Sequence, residues 1–179
     1  MKLRIIFIMM TFFAVFMLLG CEENKKPDTR TEYIHVGPNW DAIHHLKASK
    51  NTFRVELNGK ETLKAGDTIS FSVKSAKPGN VWVIQVDPDD NVSLIFPNPS
   101  SPDNTISAGK WIKIPPVDAD YTIVAEEPFG KSTLAAIVTT GKADLNDVLG
   151  AQKSMTKALS LLEDQPSWGI GHIVVNVTQ

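Results

Sequence analysis

The chain has 179 residues, a formal net charge of −2 and an apolar fraction of 42%. That length suits one domain whose core needs no disulfide, and Cys21, the only cysteine, cannot form an internal one. The mildly acidic, mixed-charge composition lacks the clustered basic face that nucleic-acid binding requires.

Residues 1–20 read as a signal peptide. Lys2 and Arg4 form a basic start, and an apolar run from Ile5 to Leu19 follows, broken only by Thr11. This run is shorter than the ~20 residues that span a bilayer comfortably. Leu18-Leu19-Gly20-Cys21 resembles the lipobox of bacterial lipoproteins. The resemblance implies cleavage before Cys21 and acylation of its sulfur and new α-amino group. The protein is then held to a membrane by its acyl chains, and the lone thiol is masked in an oxidising compartment. Removal of Lys2 and Arg4 takes the net charge to −4. Glu22, not Asp, follows Cys21. By resemblance to lipoprotein sorting in Gram-negative bacteria, this implies the outer membrane, facing the periplasm.

Residues 21–32 are expected to be a flexible tether, because the stretch Glu22 to Arg30 is charged and free of large apolar groups. The domain is expected over 33–179. Trp40, Ile43 and Leu46 fall at helical spacing, which predicts a short helix over 40–48 with Asn39 as its cap. Strand signals follow. Phe53, Val55 and Leu57 alternate with Thr52, Arg54 and Glu56, and Asn58-Gly59 is a turn signal. Ile69, Phe71 and Val73 alternate with polar partners over 68–73.

Val81–Val86 is apolar on both faces apart from Gln85 and reads as a central strand. A turn over Asp87–Asn91 returns the chain through Val92–Phe96, and Pro97, Pro99 and Pro102 enforce a loop. Further strands are expected at 110–114, 120–126, 133–139 and 170–178. A helix over 144–164 is predicted from Leu145, Val148, Leu149, Met155, Leu159 and Leu162, with Asp144 at its start and Gly150 as a possible break. The fold class is therefore mostly β: a sandwich-like single domain with one C-terminal helix before the last strand.

Several motifs in the middle of the chain occur in an order that resembles a known family. They are Leu63-Lys64-Ala65-Gly66-Asp67, Leu94-Ile95-Phe96-Pro97-Asn98, Asn104–Gly109, Ile114-Pro115, Glu127-Pro128-Phe129-Gly130 and Leu134–Val138. The order is similar to that of the bacterial DUF4384 domain, over about residues 50–140. The resemblance implies a small, mostly β accessory module, and it brings no catalytic residues.

Candidate chemistry is sparse. Gly130-Lys131-Ser132 has the tail of a phosphate-binding loop, but position 125 is Ala where that loop needs Gly, and a strand follows instead of a helix, so no nucleotide is expected. Asp87, Asp89 and Asn91 alternate like calcium ligands, yet Val92 and Asn98 occupy the positions that need Gly and Glu. His44, His45 and Asp41 could ligate a metal, but neighbouring helical histidines point about 100° apart, so no metal or other cofactor is expected.

No Gly-x-Ser-x-Gly elbow is present. The expectation is a non-enzymatic, lipid-anchored envelope protein that binds another protein. Glycan or peptidoglycan binding through exposed aromatics is the alternative, with a cryptic hydrolase behind it. The candidate partner surface is Phe96, Pro97, Asn98, Trp111, Pro128, Phe129 and Gly130, carried on stiff loops.

Overall fold

The computed structural model describes residues 37–46 and 52–179. The signal segment, Cys21 and the tether lie outside the described residues. In chain order the elements are α1 (Pro38–His44), β1 (Val55–Gly59), β2 (Thr62–Lys64), β3 (Thr68–Ile69), β4 (Phe71–Ser75), β5 (Gly79–Val86) and β6 (Val92–Phe96). They continue with β7 (Thr105–Ile106), β8 (Trp111–Ile114), β9 (Ile123–Val124), β10 (Gly130–Thr139), a π-helical turn (Asp147–Ala151), α2 (Met155–Glu163) and β11 (Trp168–Thr178).

The large sheet has the order β2-β11-β10-β5-β6, with β7 adding to β5, and a smaller sheet has the order β1-β4-β8. Strand parity sorts the side chains into two cores. Val81, Val83, Leu134, Ala136, Val138, Val175 and Val177 face the smaller sheet, where they meet Val55, Phe71, Val73 and Ile114. Trp82, Ile84, Val86, Ala135, Ile137 and Ile170 face the helical layer, where they meet Trp40, Ile43, Leu149, Met155, Ala158 and Leu162. The large sheet is thus the middle of three layers. This is why β5 and β10 are apolar on both faces, whereas β4 alternates.

One side of the sandwich is closed and the other is open. A Cβ at Gly171 of β11 would fall on the Val55 carbonyl oxygen, and one at Gly169 on that of Phe53, so these glycines let β1 lie directly against β11. Thr52 secures the junction: its N–H donates to the Trp168 carbonyl at 2.9 Å, and its Oγ1 accepts from the Trp168 N–H at 2.8 Å. On the opposite side, β8 has no strand beyond it among the described residues.

The helical layer is tied to the β5–β6 hairpin by one carboxylate. Asp90, with φ of 63°, accepts from the Asn39 N–H on Oδ2 (3.0 Å) and from the Trp40 N–H on Oδ1 (2.9 Å). Those are orphan donors of the first turn of α1, so the cap comes from a residue distant in sequence. Asn39 does not cap its own helix. Its Oδ1 accepts from Met155 N–H at 2.9 Å, at the start of α2, and its Nδ2 donates to the Asp90 carbonyl at 3.0 Å.

Several boundaries differ from the sequence reading. The first helix ends at His44, and residues 47–50 lie outside the described residues. Asn58-Gly59 is not a turn. Both residues remain in β1, paired with Ser72 and Phe71, and Gly59 accommodates the Phe71 Cβ, which would lie 3.3 Å from a Cβ at that position. The strand expected over 68–73 divides at Ser70, because β3 pairs with β9 while β4 pairs with β1 and β8.

The helix expected over 144–164 is two pieces. Lys153 has φ of 51°, outside helical geometry, and Ser154 then caps α2 by accepting from the Lys157 N–H at 3.3 Å. The break thus falls three residues after Gly150. Asp144 does accept from the Asn146 N–H (2.9 Å), ahead of the π-helical turn.

Candidate functional site

The outer edge of the smaller sheet is exposed among the described residues. On β8, Ile114 points into the core and Ile112 is half-buried, while Trp111 and Lys113 face outward. Trp111 is 48% exposed, although tryptophan usually gains most from burial. Its ring lies under Lys74, whose Nζ is 5.5 Å from the ring centroid and 3.4 Å from Glu56 Oε1. This cation–π contact orients the indole without covering it. No backbone hydrogen bond joins residues 111–114 to any segment other than β4 among the described residues. The outer edge of β8 therefore offers alternate N–H and C=O groups to a further strand.

Beside β8 lies a groove of about 400 Å³ whose lining combines apolar Phe96, Ile112, Ile114 and Val117 with the charged Asp103, Lys113 and Asp118. Val117, in the loop that follows, is 89% exposed. An extended peptide placed on the edge would have this groove for its side chains.

Of the residues expected to form a partner surface, Trp111 is on this edge and Phe96 is beneath the groove. Phe96 is only 4% exposed and belongs to the core between the sheets. Pro97 and Asn98 are half-buried. Asn98 builds its own turn: Oδ1 accepts from the N–H groups of Ser100 (3.0 Å) and Ser101 (2.9 Å), and Nδ2 donates to the Ile95 carbonyl (3.1 Å). Phe129 packs on the sandwich core, and Gly130 has φ of 124°, a region that favours glycine.

The Pro128–Gly130 turn does not join the other expected residues. Phe96 pairs with Val83, which pairs with Ala136, and Gly130 begins the same strand six residues earlier. At the rise of a strand that is roughly 20 Å. Cys21 lies outside the described residues.

The other candidate groups have structural employment. His44 and His45 diverge, as adjacent helical residues must. His44 Nε2 is 2.8 Å from Thr133 Oγ1, its ring stacks on Trp40, and His172 meets it edge-on at 4.7 Å between centroids. Burial lowers the pKa of His44, helped by His172 and His45 and opposed by Asp41. Burial also lowers that of His172. His45 turns outward, with Nδ1 3.7 Å from Asp41 Oδ1.

No group of three or more His, Cys, Asp or Glu side chains is placed to hold a metal ion among the described residues. Ser132 is buried within β10 and accepts from Gln85 Nε2 at 3.2 Å, far from phosphate-loop geometry. Asp87 spends Oδ1 on the N–H groups of Asp89 (2.9 Å) and Asn91 (2.8 Å) within its turn.

Trp111 stood out in the sequence, but the open edge did not. Edge position depends on pairing, and the alternation of β8 looks the same at an edge or at a centre.

No curated protein and no solved structure matches this chain. Residues 62–142 match the family described as "Domain of unknown function (DUF4384)", a segment that begins at β2 and ends just past β10, leaving β1, α2 and β11 outside it.

Proposed function

We propose that this protein is a non-enzymatic accessory module, lipid-anchored through Cys21 in the cell envelope, that binds an extended segment of another protein along β8. The observation that carries the reading is the β8 edge, unpaired among the described residues, with Trp111 exposed on one face of the strand and a groove lined by Ile112 and Ile114 on the other. Main-chain pairing supplies affinity in such an arrangement, and side-chain pockets supply selectivity. Glycan binding along the β8 edge would call for a row of exposed aromatics beside Trp111, but Trp40, Trp82 and Trp168 are core residues, which weighs toward a protein partner at that edge.

Membrane attachment follows from the lipobox resemblance. Each buried CH₂ of an acyl chain contributes ~0.8 kcal/mol, so two or more chains anchor stably. Cys21→Ser should move the protein out of the membrane fraction, and retention equal to wild type would remove this part of the reading.

The binding edge is tested by placing a photo-crosslinking residue at position 113 or, on α2, at position 161 in the full chain within intact cells. Position 113 should give a discrete protein adduct that position 161 lacks and that Trp111→Ala abolishes. No adduct at 113, or one indifferent to Trp111→Ala, would overturn the reading.

A further inference from the structure

A second, chemically different site lies at the far end of the large sheet, where β10 ends and the chain passes over β5. A cleft of about 230 Å³ is lined there by Asn80, Trp82, Asn104, Lys142, Asp144 and Asn146, with Gly141 in its wall. Trp82 is only 2% exposed, and its Nε1–H is buried without a hydrogen-bond partner among the described residues. Thr139, the register partner of Asn80 and on the same sheet face as Trp82, also carries a buried hydroxyl without a partner. Buried polar groups are normally satisfied, so the orphan indole N–H of a residue that lines the cleft points to a polar occupant.

The remaining chemistry narrows that occupant. Asn80 Nδ2 donates to Asn104 Oδ1 at 2.8 Å. No other side-chain hydrogen bond of the pair occurs among the described residues, so Asn80 Oδ1 stays free to accept and Asn104 Nδ2 free to donate. Amides placed this way serve neighbouring hydroxyls, which both donate and accept. Lys142 and Asp144, the two charged residues of the lining, are exposed and opposite in sign, so the cleft presents no net charge. A charged ligand would lose its hydration without gaining a buried counter-charge. The volume lies below the about 300–1,000 Å³ usual for larger ligands, which suits a single ring rather than a chain.

We infer that this cleft binds one ring of a neutral saccharide, with Trp82 Nε1–H, Asn80 and Asn104 as its hydrogen-bonding groups. The site is separate from the β8 edge and does not rest on the reading of that edge.

The test uses the full chain, labelled with ¹⁵N in detergent, and follows the four indole N–H resonances. The Trp82 signal is assigned by its loss in Trp82→Phe. Glucose, galactose and N-acetylglucosamine are titrated separately to 50 mM. At least one should move the Trp82 signal saturably and leave the Trp111 signal in place. Asn104→Ala should weaken that response at least tenfold while the other indole signals keep their positions. No saturable shift with any of the three sugars would overturn the inference, as would a shift that Asn104→Ala leaves intact. Response to glycine or glutamate instead of the sugars would also overturn it, by assigning the cleft to a charged ligand.

Discussion

β10 and β8 belong to the same sandwich and have opposite surroundings. From Ser132 to Thr139 every residue of β10 is buried, because strands pair on both of its edges and layers cover both of its faces. Among the described residues β8 pairs on one edge only, and its outward face presents Trp111 and Lys113. The same backbone chemistry is therefore exhausted within the fold in one strand and left available in the other. Stability should be concentrated in the first strand and recognition in the second.

Substitutions in the two strands can break that contrast. The largest effect is expected for Ile137→Ala in β10, a fully buried site. It should cost about 2–5 kcal/mol in a urea titration, from lost burial and the cavity left behind. Asp90→Ala comes next. It removes the carboxylate that caps α1 from the hairpin, and a cost of about 0.5–2 kcal/mol is expected. Trp111→Ala on β8 should cost less than about 1 kcal/mol while abolishing crosslinking from position 113. Comparable losses for Ile137→Ala and Trp111→Ala would mean that the edge is structural and the contrast is false.

The smallest effect concerns pH. His44 and His172 meet between α1 and the large sheet, and burial holds both below the ordinary value of 6.5. The unfolded chain therefore takes up protons that the folded state resists. Stability is full above about pH 7 and falls as the pH drops through 6.5 toward the folded-state values. A melting series from pH 7.5 to 5.5 should show a declining midpoint, and the double variant His44→Gln, His172→Gln should flatten the decline. An unchanged slope would show that the pair does not couple α1 docking to protonation.

The central strands were legible in the sequence for a simple reason. Val81–Val86 is apolar on both faces, and only a strand in a middle layer needs that. The strand phase also placed Phe71, Val73, Trp82, Ile84 and Phe96 in the core and Arg54 and Ser70 outside, whereas Glu56 and Ser72, expected outside, are half-buried. Phe53 and Ile69, expected inside, are only half-buried: Phe53 lies where β1 meets β11, and Ile69 sits in the short β3–β9 ribbon.

Long-range partnerships were not legible. Nothing local to Asp90 announces that it caps a helix some 50 residues away, and nothing in Thr62–Lys64 announces parallel pairing with β11. The candidate surface suffered from the same limit. Phe96, Trp111 and Phe129 each stand out along the chain, but their separation in space is set by register. The polar cleft around Trp82 was missed because its asparagines come from distant segments, and Trp82 by phase reads as an ordinary core residue.

The central claim is that β8 is an edge kept open for another chain. The most direct measurement is backbone amide exchange of residues 111–114, compared between the full chain purified in detergent and the full chain in membranes from the cells that produce it. The account predicts that exchange at β8 slows at least tenfold in the membranes, while β10 is equally protected in both. Equal β8 exchange rates in the two preparations would contradict it.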